Sequence, residues 1–377
     1  MSELRLSEQK KHLPSQGLPL ASIIITNYNY GKFLSRAIDS ALQQTYPMKE
    51  IIVVDDGSTD NSRHIINGYG DQIIAVFQKN RGVTSATNAG FFASRGEIIF
   101  LLDADDIFSP HKVEKVVNYF IQVVPQDPAV MIFHRLEMTT DDGIVLQVTP
   151  RRLRALDGQT KKGQFEKLSD PEAAYRHVKK WGFLPSITSP TSGLSLTRSL
   201  ASRIFPLPEE RVFFQDNFLA FASMLLGTVF GFSQVLGSYI IQGNNVSLTQ
   251  TFWANENQRH QITENFLNDI LQRMNKKRII SFFDSRHARP YYMRCASTEG
   301  LLRLAYKVPA RCFCWEAIWF SIRTLRHYLI LILGKTKKPK LTKRENLLVK
   351  AKKRQTKHRS QGQPSVSKNE LPSDYKS

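Results

Sequence analysis

Three short apolar runs, each followed by a cluster of polar residues, constrain most strongly what this chain can fold into. The runs cover residues 22–25, 51–54 and 98–102. Short runs rich in β-branched residues, without alternation of apolar and polar positions, are typical of strands covered on both faces of a parallel sheet. The sequence therefore predicts consecutive βαβ units over the first third of the chain.

The segments between these runs have the spacing of helices. Apolar residues that recur every three or four positions lie on one face of a helix. Between the first two runs these residues are Phe33, Leu34, Ala37, Ile38, Ala41 and Leu42, and before the third run they are Ala86, Ala89, Phe92 and Ala93. Parallel strands end at a common edge, and this edge is where open α/β sheets bind ligands.

The polar clusters predicted at that edge are rich in carboxylates. Asp103 and Asp105 follow the third run and are spaced so that they can offer hard oxygen ligands to a divalent cation, which in turn can hold a substrate phosphate. Asp55 and Asp56 add acceptors for ribose hydroxyls or base N–H groups. A single Asp is equally typical of a helix cap or a turn, but three clusters in this order favour a binding site.

Residues 22–29, 40–46, 52–60 and 96–106 together resemble the family 2 glycosyltransferases, in the same order and with the usual spacing. The resemblance implies an α/β fold of the GT-A type, which is a Rossmann-like, mostly parallel sheet flanked by helices. It also implies an enzyme that moves a sugar from a nucleoside diphosphate sugar to an acceptor hydroxyl with inversion at the anomeric centre. The role expected from the resemblance is in cell-surface glycan or polysaccharide biosynthesis.

The resemblance further assigns roles to individual residues. Asp56 is expected to contact the nucleotide base, Asp103 the ribose or the metal shell, and Asp105 the metal, which would be Mg or Mn. The metal ligands implied are therefore Asp105 and Asp103. The residues implied to bind the substrate are Thr26, Asn27, Tyr28, Asn29, Asp55, Asp56, Asn88 and Asp103.

A second functional stretch follows at residues 213–219. Family members often have a Glu-Asp or Ala-Asp pair at the start of a helix here, and the Asp is thought to take the proton of the acceptor. Asp216 matches that position. An inverting displacement needs such a carboxylate, because the attacking hydroxyl becomes more acidic only as it attacks. The alternative role of Asp216 is a helix cap.

The sequence departs from the family pattern on the expected phosphate side. The family commonly has Tyr-Arg-x-His where this chain has Ile240 and Gln242 in place of the basic residues, and an Arg where this chain has Thr87. These changes remove positive charge, so that leaving-group stabilisation depends more on the metal, with Arg81 and a basic loop at residues 151–167 as further candidates.

Several more elements are predicted beyond the third run. Pro110 is expected to open a helix with apolar positions from Val113 to Ile121. A hairpin is expected from residues 130–134 and 143–148, joined by the turn at residues 140–143. A strand and loop are expected at residues 236–247, and a helix at residues 252–277.

Composition defines the compartment and the partners. The formal charge of +19 implies an anionic partner, and residues 335–359 contain twelve Lys or Arg against one acidic residue, Glu345. Three cysteines without framework spacing indicate a reducing compartment, and the start of the chain has no signal-peptide core. We therefore expect a cytoplasmic protein, with nucleic acid a less favoured partner, and the resemblance implies that it acts on a glycan or lipid-linked acceptor.

Four segments are expected along the chain. They are a flexible N-terminus at 1–17, a GT-A domain at 18–248, a helical extension at 249–333 and a basic disordered tail at 334–377. Within the extension, residues 312–333 are apolar but include Glu316 and Arg323, which favours an amphipathic helix, either packed on the protein or lying in an anionic membrane interface on the cytoplasmic face.

Two other classes of protein remain open from the sequence. A dinucleotide-binding oxidoreductase shares this type of sheet, but its first strand–helix turn needs closely spaced glycines, and residues 26–32 contain only Gly31. The second alternative is a non-catalytic protein that binds a glycan or nucleotide, with a basic tail for membrane or nucleic acid. The loss of basic residues at Ile240 and Gln242 keeps this alternative open.

Overall fold

The computed structural model describes residues 17–145, 165–181, 184, 190–209, 215–242, 256–278 and 280. One nine-stranded sheet runs through these residues in the order β3-β2-β1-β4-β8-β6-β9-β5, with β7 paired to β9. Helices cover the sheet, and the protein is an α/β fold of the GT-A type, as predicted.

The first half of the sheet is parallel and contains the three predicted strands. These strands are β1 (Ala21–Asn27), β2 (Lys49–Asp55) and β4 (Ile98–Asp103), with β3 (Ile74–Phe77) at the edge. In register, Thr26 lies beside Val54 on one side and beside Asp103 on the other. The polar residues that follow β1, β2 and β4 therefore reach the same edge.

The parallel strands lack alternation because both of their faces are covered. Ile23 and Ile25 face a core that includes Leu34 and Ile38 of α1 (Gly31–Leu42). Ile24 faces the opposite core with Phe91 of α3 (Val83–Ala93). A shorter helix, α2 (Ser62–Gly68), connects β2 toward β3.

The second half of the sheet follows the acidic cluster. Its strands are β5 (Ile107–Phe108), β6 (Val130–Thr140), β7 (Phe165–Ser169), β8 (Leu194–Thr197) and β9 (Thr228–Ile241). Its helices are α4 (Lys112–Val123), α5 (Pro171–Trp181), α6 (Arg198–Ile204), α7 (Gln215–Leu226) and α8 (Glu256–Arg273).

Strand β8 runs antiparallel to β4, and this direction has a consequence for the site. Ile98 lies beside Thr197 and Phe100 beside Ser195, so the start of β8 lies near the carboxyl end of β4. The short 3₁₀ helix Thr191–Gly193 immediately precedes β8. Three polar or small residues that are distant in sequence are thereby brought to the acidic edge.

The other predicted elements have mixed outcomes. The helix after Pro110 forms as α4, and the predicted turn forms at the end of β6, where the Gly143 amide donates to the Thr140 carbonyl at 3.0 Å. Strand β6 is longer than predicted, and the returning strand contributes a bridge between Thr139 and Val145 before residues 146–148 leave the described range.

Among the remaining predicted segments, one loop is partly wrong, one helix is present, and three segments lie outside the described residues. The predicted loop at 151–167 is wrong at its end, because residues from Phe165 pair with β9 as β7, and the rest of it is outside the described range. The predicted helix at 252–277 is present as α8. The segments at 1–16, 312–333 and 334–377 lie outside the described residues, so the predicted domain boundaries stay predictions.

Within the described ranges, the helices are all too short or too polar to span a bilayer.

Close packing of α3 on β1 yields a stability prediction. A Cβ added at Gly90 would clash with Ile24 Cγ2 and lie 3.2 Å from Val54 Cγ2, whereas one added at Gly68 would meet no atom within 4 Å. Because overpacking a core costs about 1–3 kcal/mol, Gly90→Ala should lower the free energy of unfolding by that amount in urea titrations. Gly68→Ala, the matched control, should leave it unchanged or raise it by about 0.4–1 kcal/mol. Equal effects at the two positions would contradict this packing.

Candidate active site

The turn after β1 is held by the polar residues that follow β2. Asn27 Nδ2 donates to Asp55 Oδ1 at 2.8 Å, and Ser58 Oγ donates to the same oxygen at 2.5 Å. Ser58 Oγ also accepts from the backbone N–H of Asn29 at 2.9 Å. Asn29 adopts a left-handed backbone conformation with φ of 58°. The predicted residues Asn27, Asn29 and Asp55 therefore form one loop framework, and Asn27 and Asp55 are buried within it.

Tyr28 and Thr26 lie on either side of this framework in different environments. The Tyr28 side chain is 44% exposed, next to the left-handed residue that turns the chain. Thr26 is half-buried in β1, with Asp103 beside it in the register. Tyr28 is thus available at the rim of the edge, whereas Thr26 forms part of its floor.

Asp56 organises the loop between β3 and α3. Its Oδ1 accepts from Gln78 Nε2 at 2.7 Å and from the Arg81 amide at 2.9 Å, and its Oδ2 accepts from the Gly82 amide at 2.8 Å. A carboxylate has about four acceptor positions. Asp56 therefore keeps acceptor capacity beyond the loop that it holds.

Asn88 lies deeper and is engaged by backbone. Its Nδ2 donates to the Leu207 carbonyl at 2.9 Å, and its Oδ1 accepts from the Leu207 amide at 2.8 Å. Asn88 thus joins α3 to the segment after α6. The side chain also lies near Glu209, which forms an ion pair with Arg81.

The carboxylates after β4 occupy one tight turn. The Asp106 amide donates to the Asp103 carbonyl at 3.0 Å, and the Asp103 amide donates to Ser192 Oγ at 3.0 Å. Asp105 Oδ2 accepts from Gln242 Nε2 at 2.7 Å. The departure at Gln242 therefore places a neutral amide, rather than a basic side chain, against a predicted metal ligand.

Burial and mutual repulsion perturb the acids of this turn. Burial raises the pKa of Asp103 to about 8, with further contributions from the charges of Asp105 and Asp216. Burial also raises the pKa of Asp105. The pKa of the Tyr30 hydroxyl is raised by burial and then by Asp105 and Asp103. Asp103 is thus close enough to Asp105 and to Asp216 to interact with both, and the roles that the sequence predicts for these three acids stay predictions.

Behind the turn lies a fully buried polar network that sequence reasoning missed. Ser192 Oγ donates to Asp106 Oδ2 at 2.5 Å, and Asp106 Oδ1 accepts from the Ile240 amide at 3.2 Å. Lys112 Nζ donates to the Ser192 carbonyl at 2.5 Å. Burial holds the pKa of Lys112 well below its usual range, while the charge of Asp106 acts in the opposite direction. This network ties β4, α4 and β9 together beneath the predicted metal ligands.

Helix α7 begins beside the acidic turn. Asp216 lies in the first turn of α7 and is half-buried. Asp216 Oδ1 accepts from the backbone N–H of Asn217 at 2.9 Å. The preceding residue, Gln215, is buried and contacts Asp103, Thr191 and Thr87. The sequence singled out Asp216 but not Gln215, although a Gln directly before the predicted base, where the family often has Glu or Ala, was a usable signal.

The acidic turn fits a divalent cation that is shared with a substrate. No three His, Cys, Asp or Glu side chains of the described residues are grouped so as to hold a metal ion alone. Mg²⁺, however, is commonly bound by one or two carboxylates together with substrate phosphates. Asp103 and Asp105 offer such oxygen ligands, and burial, the main cause of their raised pKa values, disfavours their charged forms, which a bound cation would stabilise.

The chain is similar to proteins described as glycosyltransferases. The family model "Glycosyl transferase family 2" matches residues 22–177. An uncharacterized glycosyltransferase of Nostoc sp. is 33% identical over 265 residues, which cover 67% of this chain and 76% of that protein. An uncharacterized glycosyltransferase of Rickettsia prowazekii is 41% identical over 118 residues, which cover 31% of this chain and 37% of that protein.

A solved structure shares the fold. The crystal structure of S. aureus TarS 1–349 in complex with UDP-GlcNAc matches with a TM-score of 0.51 and 16% sequence identity. The match covers 86% of this chain and 95% of that chain. At this identity the likeness concerns the fold alone.

The raised pKa of Asp103 predicts how stability depends on pH. An acid with a pKa near 3.9 when unfolded and about 8 when folded destabilises the folded state as pH rises between these values, and the full cost applies above the higher one. When a chelator is present to remove metal ions, Asp103→Asn should therefore raise the unfolding temperature at about pH 9 more than at about pH 4.

The matched control for this prediction is Asp71→Asn, which changes an exposed Asp in the short 3₁₀ helix Gly70–Gln72 between α2 and β3. Its effect on the unfolding temperature should be small at both pH values. A stabilisation by Asp103→Asn that is the same at the two pH values would contradict the electrostatic cause.

Proposed function

This chain belongs to glycosyl transferase family 2, and from this premise we propose that it transfers a sugar from a nucleoside diphosphate sugar to an acceptor hydroxyl, with inversion at the anomeric carbon. The observation that carries the proposal is that Asp103, at the end of β4, interacts both with Asp105 in the same turn and with Asp216 at the start of α7. Donor-side and acceptor-side carboxylates therefore share one edge of the sheet.

On the donor side, Asp105 and Asp103 would hold Mg²⁺ or Mn²⁺ against the diphosphate. When bound, the cation supplies Lewis-acid stabilisation of the negative charge that develops on the leaving group, an effect of several kcal/mol. Gln242 supports this arrangement by donating to Asp105. Tyr30 is close enough to these acids for their charges to add to the effect of burial in raising the pKa of its hydroxyl.

The nucleoside would lie against the loops that follow β1 and β2. Tyr28 is exposed at the rim, where its ring can contact the base. Asp56 keeps acceptor capacity for a base N–H although it already accepts from Gln78 and two amides. Asn27, Asp55 and Asn88 support the pocket indirectly, because their side chains hold the surrounding loops.

On the acceptor side, Asp216 would act as the general base. As the acceptor oxygen forms a bond to the anomeric carbon, its proton moves to the Asp216 carboxylate, and the bond from the anomeric carbon to the diphosphate oxygen breaks. The nucleoside diphosphate leaves with the bonding electron pair. General base catalysis of this kind is typically worth about 10²–10⁴-fold in rate.

The acceptor that we propose is a glycan or a lipid-linked glycan of a cell-surface polysaccharide pathway. Residues 335–359 contain twelve Lys or Arg, and basic segments are attracted to the anionic surface of the cytoplasmic leaflet. This charge supports an acceptor that is presented at such a membrane surface. A membrane-presented acceptor distinguishes this proposal from one in which the acceptor is a soluble small molecule.

A panel of nucleotide sugars tests the reaction directly. TarS was crystallised with UDP-GlcNAc, which makes UDP sugars the first donors to try. The full-length protein with Mn²⁺ should release a nucleoside diphosphate from at least one donor, and chelator should abolish the release. Release that is unaffected by chelator would contradict the proposed metal dependence, and absence of release from every donor with acceptors supplied would contradict the transferase.

Substitutions test the two sides of the site separately. Asp105→Ala should abolish transfer because the cation loses a ligand, and Asp216→Asn should lower the rate by about 10²–10⁴-fold because the base is lost. Transfer rates and unfolding temperatures would be measured together. Asp269→Asn is the control, since this exposed carboxylate lies on α8. Full activity of a folded Asp105 or Asp216 variant would exclude the role proposed for that residue.

A further inference from the structure

We propose that Gln215 is a positioning residue that holds the base-bearing end of α7 in register with the donor-side carboxylate Asp103. The inference rests on the proposed function, since it concerns how the two halves of that site are kept together. It assigns a role to a residue that neither touches the reacting atoms nor was singled out by the sequence pattern.

The Gln215 amide contacts three different parts of the fold. Its Nε2 donates to Asp103 Oδ1 at 3.4 Å and to Thr191 Oγ1 at 3.3 Å, both at the long end of the hydrogen-bond range. Its Oε1 accepts from the hydroxyl of Thr87 on α3. One amide therefore joins the end of β4, the 3₁₀ helix before β8 and α3 to the first residue of α7.

A second link leads from Gln215 to Asp103 through Thr191. The Thr191 hydroxyl accepts from Gln215 Nε2, and the same hydroxyl acts on Asp103 by lowering the pKa of that carboxyl. With the amide nitrogen directed at two acceptors and the amide oxygen accepting from Thr87, the side chain has little freedom to rotate. Gln215, Thr191 and Thr87 are all buried, so water cannot easily replace these contacts.

A neutral amide suits this position better than a carboxylate. Asp103 already interacts with Asp105 and Asp216, and the three acids are crowded. A Glu at position 215 could still accept from Thr87, but it would direct a negatively charged oxygen at Asp103 where the amide directs N–H groups. Like charges at such short range are strongly unfavourable in a buried site.

The contact matters for catalysis because Gln215 and Asp216 are consecutive. Fixing the Gln215 side chain to Asp103 fixes the start of α7, and hence the Asp216 backbone, relative to the donor. A displacement of about 1 Å in a catalytic arrangement can cost about 10²-fold in rate. Transfer to an acceptor, which needs the base and the donor in register, should depend on this contact more than hydrolysis of the donor by water does.

Two substitutions separate the parts of this contact. Gln215→Met preserves the approximate volume and removes all three contacts, whereas Gln215→Glu keeps an acceptor for Thr87 and loses the donor toward Asp103. Gln272→Met and Gln272→Glu are the matched controls, because Gln272 is an exposed residue of α8. The four variants and the unsubstituted protein are compared in full-length form, with unfolding temperatures measured for each.

Three measurements test the proposal. With the donor found in the panel, the rate of transfer should fall about 10- to 100-fold in both Gln215 variants, as is typical when a partner of a metal ligand is lost. Donor hydrolysis without acceptor should fall less, so that the ratio of transfer to hydrolysis decreases. The affinity for UDP in the presence of Mn²⁺, measured by calorimetry, should also weaken, by up to about 10-fold.

The remaining outcomes would overturn the positioning role, the proposed function or both. Transfer at the unsubstituted rate in Gln215→Glu, or transfer and hydrolysis reduced in equal proportion in Gln215→Met, would overturn the positioning role while leaving the proposed function intact. A protein that binds UDP and Mn²⁺ but turns over no donor would refute the proposed function alone. In such a protein, unchanged affinity in Gln215→Met would overturn the positioning role as well, and a protein that binds neither ligand would refute both.

Discussion

The crowding of carboxylates at the end of β4 is the constraint around which the rest of this structure is arranged. Asp103 and Asp105 are half-buried and Asp106 is fully buried in one tight turn, and burial raises the pKa of each. Such a cluster costs folding free energy unless donors and opposite charges surround it. The neighbouring elements supply these donors as backbone amides, hydroxyls and two side-chain amides, with the buried Nζ of Lys112 behind them.

The second half of the sheet serves mainly to bring these groups to the acidic turn. Because β8 runs antiparallel to β4, the 3₁₀ helix before it delivers Ser192 to the Asp103 amide and to the Asp106 carboxylate. Strand β9 contributes the Ile240 amide and Gln242 on another side. The unfavourable free energy of placing several acids together is thus offset by hydrogen bonds from several elements of the fold.

The sequence was informative where local pattern decides structure and less so where contacts are distant. Strands β1, β2 and β4 and helix α1 were legible, because doubly covered strands and amphipathic helices have their own periodicities. Strand β8 was missed, since four residues carry too little pattern to compete with their tertiary setting. The loop predicted up to residue 167 was wrong for its last residues, because pairing with β9 draws Phe165 into a strand.

The amino-acid sequence by itself determined that acidic side chains follow buried parallel strands, and therefore that they meet at one edge, because strand direction and length depend on the local order of residues. Only the tertiary structure decided which side chains surround those acids. Gln215 lies 112 residues from its partner Asp103, and Ser192 lies 86 residues from Asp106. Partners so distant in sequence are selected by burial, since a buried polar group must find a hydrogen bond wherever the fold offers one.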